Sequence, residues 1–319
     1  MFLKRLAATT AAILMASTAY ATDFAGKKVL FIDSYHEGYP WSDGITTGIQ
    51  NVIGKSGAEL KIHRMDTKRN GSDDFKKQAA LDSKALIEEW NPDVVIATDD
   101  NASKYLIVPF YKGSDLPFVF GGVNWDASEY GFPTSNVTGI VEVDSMDETA
   151  ELLRPLAKGD RLAMLATDNL TNRKTAKYAV EQMGLKLDAF FPKNYEEWKR
   201  DFLKIQDNYD MVLFRSPAGL EGYETDAAKA FVLENSQIPG GANQMITANF
   251  AVVTYAKVAE EQGEWAANAA LEILGGKSPA DIPVGRNEQG RLVLNGPLIE
   301  KLQLEIGADL ISSAEQIIE

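Results

Sequence analysis

The chain has no cysteine and only two histidines, His36 and His63. Without a thiol there is no disulfide framework, cysteine nucleophile, cysteine-bound metal or acylated lipoprotein anchor, so stability must come from apolar burial. The histidines make no metal motif either. His36-Glu37 opens like a zinc-protease helix, but Pro40 stands where the second histidine belongs, and His63 lies in an alternating strand. Apolar runs of about 18 residues, long enough to span a bilayer, are lacking. Basic charge is scarce as well: 32 Lys and Arg face 46 Asp and Glu, a net charge of −14 that opposes general binding to nucleic acid or anionic lipid. Two Gly-Lys-Ser triplets, at 54–56 and 276–278, lack the earlier glycine of a phosphate loop, its place taken by Ile49 and Leu271. No G-x-G-x-x-G follows the first strand, so no cofactor is expected. With no nucleophile–base constellation, the enzymatic alternative left is a hydrolase with an unrecognised carboxylate pair.

What is present starts with an export signal. Lys4 and Arg5 precede the apolar stretch from Leu6 to Ala16, and Ala19-Tyr20-Ala21 is a small-x-small cleavage site. The expectation is a signal peptide over 1–21, cleaved after Ala21, and a soluble mature chain of residues 22–319. That length exceeds one small core and suits two lobes.

Along the mature chain, short apolar runs alternate with amphipathic stretches. Strands are expected at Lys28–Asp33, Glu59–His63, Val94–Ala97 and Phe118–Phe120. Helices are expected from Ser42 to about Lys55 and over a stretch with Phe75, Ala79, Leu86 and Trp90 on one face. Ser145-Met146-Asp147-Glu148 reads as a capping box that opens a second series. This series has strands at 162–166, 187–191 and 211–214, helices near 171–183 and 196–208, and a late helix through Ala266–Leu274 ended by Gly275-Gly276. Runs apolar on both faces suit parallel strands covered by helices on both sides. The fold class expected is therefore α/β, with two doubly wound, Rossmann-like lobes. The first lobe is placed at 22–140 and the second at 141–281. Residues from about 282 to 319 are expected to cross back and complete the first lobe, so that several short crossings form a hinge beside a cleft.

Ser34-Tyr35-His36-Glu37-Gly38-Tyr39-Pro40-Trp41 resembles the SYHxGxPW signature of an ABC-type substrate-binding family. Gly122–Asp126, Tyr130–Pro133, Asn136–Gly139, Glu260–Ala267 and Ala280–Pro283 are similar to later parts of the same family. The resemblance implies a type I periplasmic-binding-protein fold, a monomer in the periplasm that closes on a small molecule and presents it to a membrane permease. Related modules also serve membrane sensors, which makes ligand sensing the alternative role.

In open parallel sheets, ligands bind beyond the carboxyl ends of the strands. That rule selects the loops 34–41, 99–103 and 121–126 of the first lobe and 167–172, 215–219 and 247–250 of the second. Ser34, Tyr35, His36, Trp41 and Trp125 are candidate ligand contacts, Tyr35 and Trp41 as stacking surfaces, with packing of the first helix against the sheet an equal reading for Trp41. Asp99 and Asp100 suit an ammonium group or, alternatively, a helix cap. Arg215 suits bidentate clamping of a carboxylate or a salt bridge between lobes. Asn124, Asp168, Asn169 and Asn249 are polar residues at strand ends, with capping the stronger reading for Asp168 and Asn169. Together they favour a small polar ligand such as an amino acid or another zwitterion.

Overall fold

A computed structural model describes residues 24–217 and 220–319. The expected signal peptide, and Ala218 and Gly219 of the loop after Arg215, lie outside the described residues. The first lobe runs β1 (Lys28–Asp33), α1 (Pro40–Ile53), β2 (Glu59–Arg64), α2 (Asp73–Trp90), β3 (Val94–Thr98), α3 (Asp99–Ala102), β4 (Phe118–Asn124) and β5 (Val137–Glu142). The second runs α4 (Met146–Leu153), β6 (Leu162–Leu165), α5 (Leu170–Glu181), β7 (Leu187–Phe190), α6 (Tyr195–Asn208), β8 (Met211–Phe214), α7 (Thr225–Asn235), β9 (Gly240–Ala242) and β10 (Val253–Lys257). The chain then forms α8 (Ala259–Leu274), β11 (Gly285–Arg286), β12 (Gly290–Asn295), α9 (Gly296–Leu302), α10 (Ala308–Ser313) and β13 (Gln316–Ile318).

The strands form two sheets, ordered β11-β5-β4-β3-β1-β2 and β13-β12-β10-β9-β8-β6-β7. The first is parallel throughout; the second is parallel except for the antiparallel pair β10–β12. Central strands such as β3 are buried at every position, which explains why they read as continuous apolar runs. Two apolar clusters cover the faces of the first sheet, one with α2 and one with α1 and α8, and a third fills the second lobe.

Three sequence expectations need correction. First, the tail does not as a whole complete the first lobe: only β11 joins the first sheet, while β12 and β13 extend the second. Conversely α8, placed in the second lobe by its position in the chain, packs on α1 of the first. A Cβ added at Gly48 would lie 2.2 Å from the Glu260 carbonyl oxygen, and one at Gly263 would lie 2.1 Å from that of Ile45. Helices that close admit no side chain at these points. Second, the capping box at 145–148 is not made. The Ser145 side chain makes no cap bond, and Glu148 instead accepts from Arg286 Nη2 at 2.9 Å. Third, α2 buries Ala79, Ala80, Ser83 and Ile87, with Phe75 partly exposed. Small residues let the helix approach the sheet, and the larger ones flank the contact.

The chain passes between the sheets after β5, after β10 and after β11. These crossings are laced together. Asn287 Oδ1 accepts from Val143 N at 2.8 Å, and the Glu261 carboxylate accepts from the backbone of Glu288 and Gln289 at 2.9 and 3.0 Å. A multi-strand hinge therefore joins the two doubly wound lobes.

Candidate ligand cleft

The wall contributed by the first lobe is built on Asp33. This buried carboxylate closes the loop after β1: Oδ1 accepts from Tyr35 N at 3.0 Å and from Ser42 Oγ at 2.9 Å, while Oδ2 pairs with Arg64. The loop carries Tyr35 and Tyr39 edge to face, with ring centroids 5.4 Å apart, and Lys68 Nζ lies 4.8 and 4.9 Å from the two rings. His36 packs beside Tyr39, its Nδ1 3.8 Å from Asp66 Oδ1. Ser34 takes no part in this surface. It is fully buried, and its hydroxyl donates to Thr98 O and accepts from Ala102 N. It ties β1 to the start of α3, so its assignment as a ligand contact is withdrawn.

At the end of β3 the backbone turns sharply, and Asp99 adopts a left-handed φ of 68° that few residues other than glycine, asparagine and aspartate tolerate. Asp99 is only 2% exposed, and its Oδ2 has no hydrogen-bond partner among the described residues. Burial pushes its carboxyl well above the usual range, and the nearby charges of Glu142, Asp33 and Asp100 push it further. Neither aspartate is the helix cap of the alternative reading from sequence: Thr98 occupies that position, and α3 begins at Asp99 itself. Asp100 is oriented from both sides, by Tyr130 Oη at 2.7 Å and Asn124 Nδ2 at 2.7 Å. The Tyr35 phenol is driven up by burial and then by Asp99, Asp100 and Glu142. Tyr35 thus shares one electrostatic neighbourhood with three carboxylates.

The hinge supplies the positive charge. Lys257, at the end of β10, bonds to Glu142 and, at 3.1 Å, to Asp144, and sits 5.3 Å from the centroid of the Trp41 ring. Burial alone would lower its pKa, but Glu142 and Asp144 outweigh burial and hold the ammonium protonated. Arg215 completes the chain of contacts. The residue is 6% exposed, and its guanidinium donates to Asp144 Oδ2 at 2.6 Å, to Asn243 Oδ1 at 3.2 Å and to Asn172 Oδ1 at 3.3 Å. Burial would raise the Asp144 carboxyl; Lys257 and Arg215 reverse that and hold it below its ordinary value. The carboxylate that Arg215 clamps is therefore Asp144, in the first hinge crossing, which is the structural one of the two readings open in the sequence.

In the second lobe, Asn169 caps α5, its Oδ1 accepting from Asn172 N at 2.8 Å, and Asp168 pairs with Arg173 Nε at 2.7 Å. Both serve their own helix. Asn249 is half-buried in the turn Met245–Phe250. Trp125 adopts a left-handed φ of 64° and stacks on Tyr178 of α5. Tyr35, Trp41, Asp99, Asp100, Asn124 and Arg215 are thus linked through one charged network. Sequence reasoning missed Glu142, Asp144 and Lys257. The strand-end rule would have selected them had the ends of β5 and β10 been counted with the others. Among the described residues no group of three or more acidic or histidine side chains is placed to hold a metal ion.

A family model described as ABC transporter substrate binding protein matches residues 38–318. The chain belongs to this family. Its members are solute-binding proteins rather than enzymes, typically extracytoplasmic, and their relatives of known structure share the type I periplasmic-binding-protein fold seen here. One such relative is the ABC domain in complex with L-Trp from Streptococcus pneumonia, 18% identical, TM-score 0.56, covering 92% of this chain and 99% of that one. A second is the ligand-free, open form of a substrate-binding protein with adhesive properties from Clostridium difficile, 17% identical, TM-score 0.69, with the same coverage of 92% and 99%. A third is a periplasmic ribose ABC transporter protein from Conexibacter woesei, 16% identical, TM-score 0.56, covering 92% and 99%. At these identities the likeness is one of fold. A search of the curated proteins gives no match. Among the described residues, no helix is long and apolar enough to cross a membrane.

Proposed function

We propose that this substrate-binding protein captures a small ligand bearing a protonated amine, an amino acid or similar zwitterion, between its lobes and delivers it to a membrane ABC permease. The observation that carries the reading is Asp99: a buried carboxylate oxygen without a partner, at a strand end, flanked by Asp100 and Glu142. Leaving such an oxygen unsatisfied costs about 1–3 kcal/mol, more if it is charged. An ammonium group entering the cleft recovers that cost with a charge-assisted bond and offsets the repulsion among the carboxylates. The Tyr35 and Tyr39 rings offer an apolar shelf for the rest of the molecule, and Trp41 backs the Lys257 network that fixes the hinge. The sequence of residues 1–21, which reads as a leader cleaved after Ala21, supports a periplasmic setting for this activity.

Thermal unfolding of residues 22–319 against amino acids, polyamines, nucleosides, sugars and organic acids tests the reading. A ligand that binds only the folded state adds RT ln(1 + [L]/Kd), about 2.7 kcal/mol at a hundredfold excess over Kd. A saturable rise in Tm confined to compounds with a free amine is expected. A rise given only by amine-free sugars or acids would overturn it.

A further inference from the structure

Apart from the hinge crossings, the lobes also meet where the chain leaves β4. Trp125, a residue only 6% exposed, is held in its left-handed turn by a bond from its N–H to the Glu142 carbonyl at 2.9 Å, and its ring stacks on Tyr178 with centroids 5.3 Å apart and planes 15° apart. Four residues on, Glu129 Oε1 accepts from Lys174 Nζ at 2.6 Å and from Tyr178 Oη at 3.3 Å. Tyr178 and Lys174 lie on α5 of the second lobe. The same short segment also reaches the ligand wall, because Asn124 and Tyr130, at its two ends, are the groups that hold the Asp100 carboxylate.

We propose that Asn124–Tyr130 is a coupled latch, in which the residues orienting Asp100 and the residues gripping α5 move as one unit. A buried aromatic stack resists separation more than the exposed Glu129–Lys174 pair, which solvent screens. Opening the lobes requires Trp125 to leave Tyr178. Because Trp125 lies between Asn124 and Tyr130, that movement disturbs the bonds to Asp100. A ligand held by Asp100 therefore opposes opening without touching the second lobe. This consequence for binding rests on the reading of Asp100 as part of the amine wall; the latch itself does not.

Small-angle scattering of the ligand-free protein separates the two. Tyr178→Ala, on the surface of a helix, is expected to increase the radius of gyration, whereas Tyr178→Phe keeps the stack and stays at the parent value. Tyr130→Phe, which touches no second-lobe residue, is expected to shift the radius the same way as Tyr178→Ala by a smaller amount. An unchanged radius in Tyr178→Ala overturns the latch, and an unchanged radius in Tyr130→Phe beside an expanded Tyr178→Ala overturns the coupling. Should Tyr178→Ala fail to fold by circular dichroism, the charge reversal Lys174→Glu reads the same contact. Its expansion should be undone by adding Glu129→Lys; failure of both to alter the radius also overturns the latch. No ligand enters the measurement, so a failed amine panel leaves its outcome intact.

Discussion

Asp99 is unpaired, buried and held in an unusual backbone conformation, and each of these properties costs stability. Folding raises its carboxyl above the ordinary 3.8, so the folded, ligand-free protein binds this proton more readily than the unfolded chain. The stability linked to this group is complete below the ordinary value and is lost as pH rises through the folded one. Asp99→Asn, which also tolerates left-handed backbone, is therefore expected to unfold at higher denaturant concentration than the parent near pH 7. The gain should vanish below about pH 3, where the aspartate is protonated in both states. Arg215 has the opposite character. Arg215→Ala leaves Asp144 with Lys257 alone, and breaking such a buried pair costs about 3–5 kcal/mol, readable as a lower urea midpoint at an unchanged slope. Little of this was legible in the sequence. The strand-end rule found Asp99, Asp100 and Arg215 by position, but which carboxylate Arg215 meets depends on a hinge that pairs residues 71 positions apart.

At the scale of elements the sequence was more informative. The continuous apolar runs of β1, β3 and β4 and the periodicity of α6 and α8 follow directly from burial on two faces or on one stripe. What periodicity lacks is any record of the neighbour. An amphipathic α8 reads the same whichever lobe it packs on, so its contact with α1 and the transfer of β12 and β13 to the second sheet were not foreseeable. The short β9, Gly240–Ala242, carries no alternation to read. Likewise Ser145 and Glu148 fit a capping box by spacing, yet Glu148 spans the lobes to Arg286. Burial and its bond with Asp147 raise the Glu148 carboxyl to about 7. The α1–α8 contact yields a sharp expectation. Gly263→Ala places a methyl 2.1 Å from a backbone carbonyl that cannot swing aside, and should lower stability by about 1–3 kcal/mol in urea unfolding. Gly71→Ala, with nothing within 4 Å, is the control and should be close to neutral.

The whole molecule is two doubly wound lobes on a hinge whose buried charges run from Glu142 through Lys257 and Asp144 to Arg215. This lattice fixes the hinge, while one buried oxygen of Asp99 has no hydrogen-bond partner among the described residues. The ligand reading predicts a specific use for that oxygen. Removing the negative charge at Asp99 should cost an amine ligand on the order of 2–5 kcal/mol of binding, while the fold becomes no less stable. The decisive measurement is calorimetric titration of the parent and Asp99→Asn with the compound giving the largest thermal shift, and with its N-acetyl derivative. Tight binding of the free amine to the parent alone, with the acetylated compound and the variant both weak, is the result predicted. Equal affinity for amine and N-acetyl forms, or an Asp99→Asn variant that binds as the parent does, would contradict amine capture at this carboxylate.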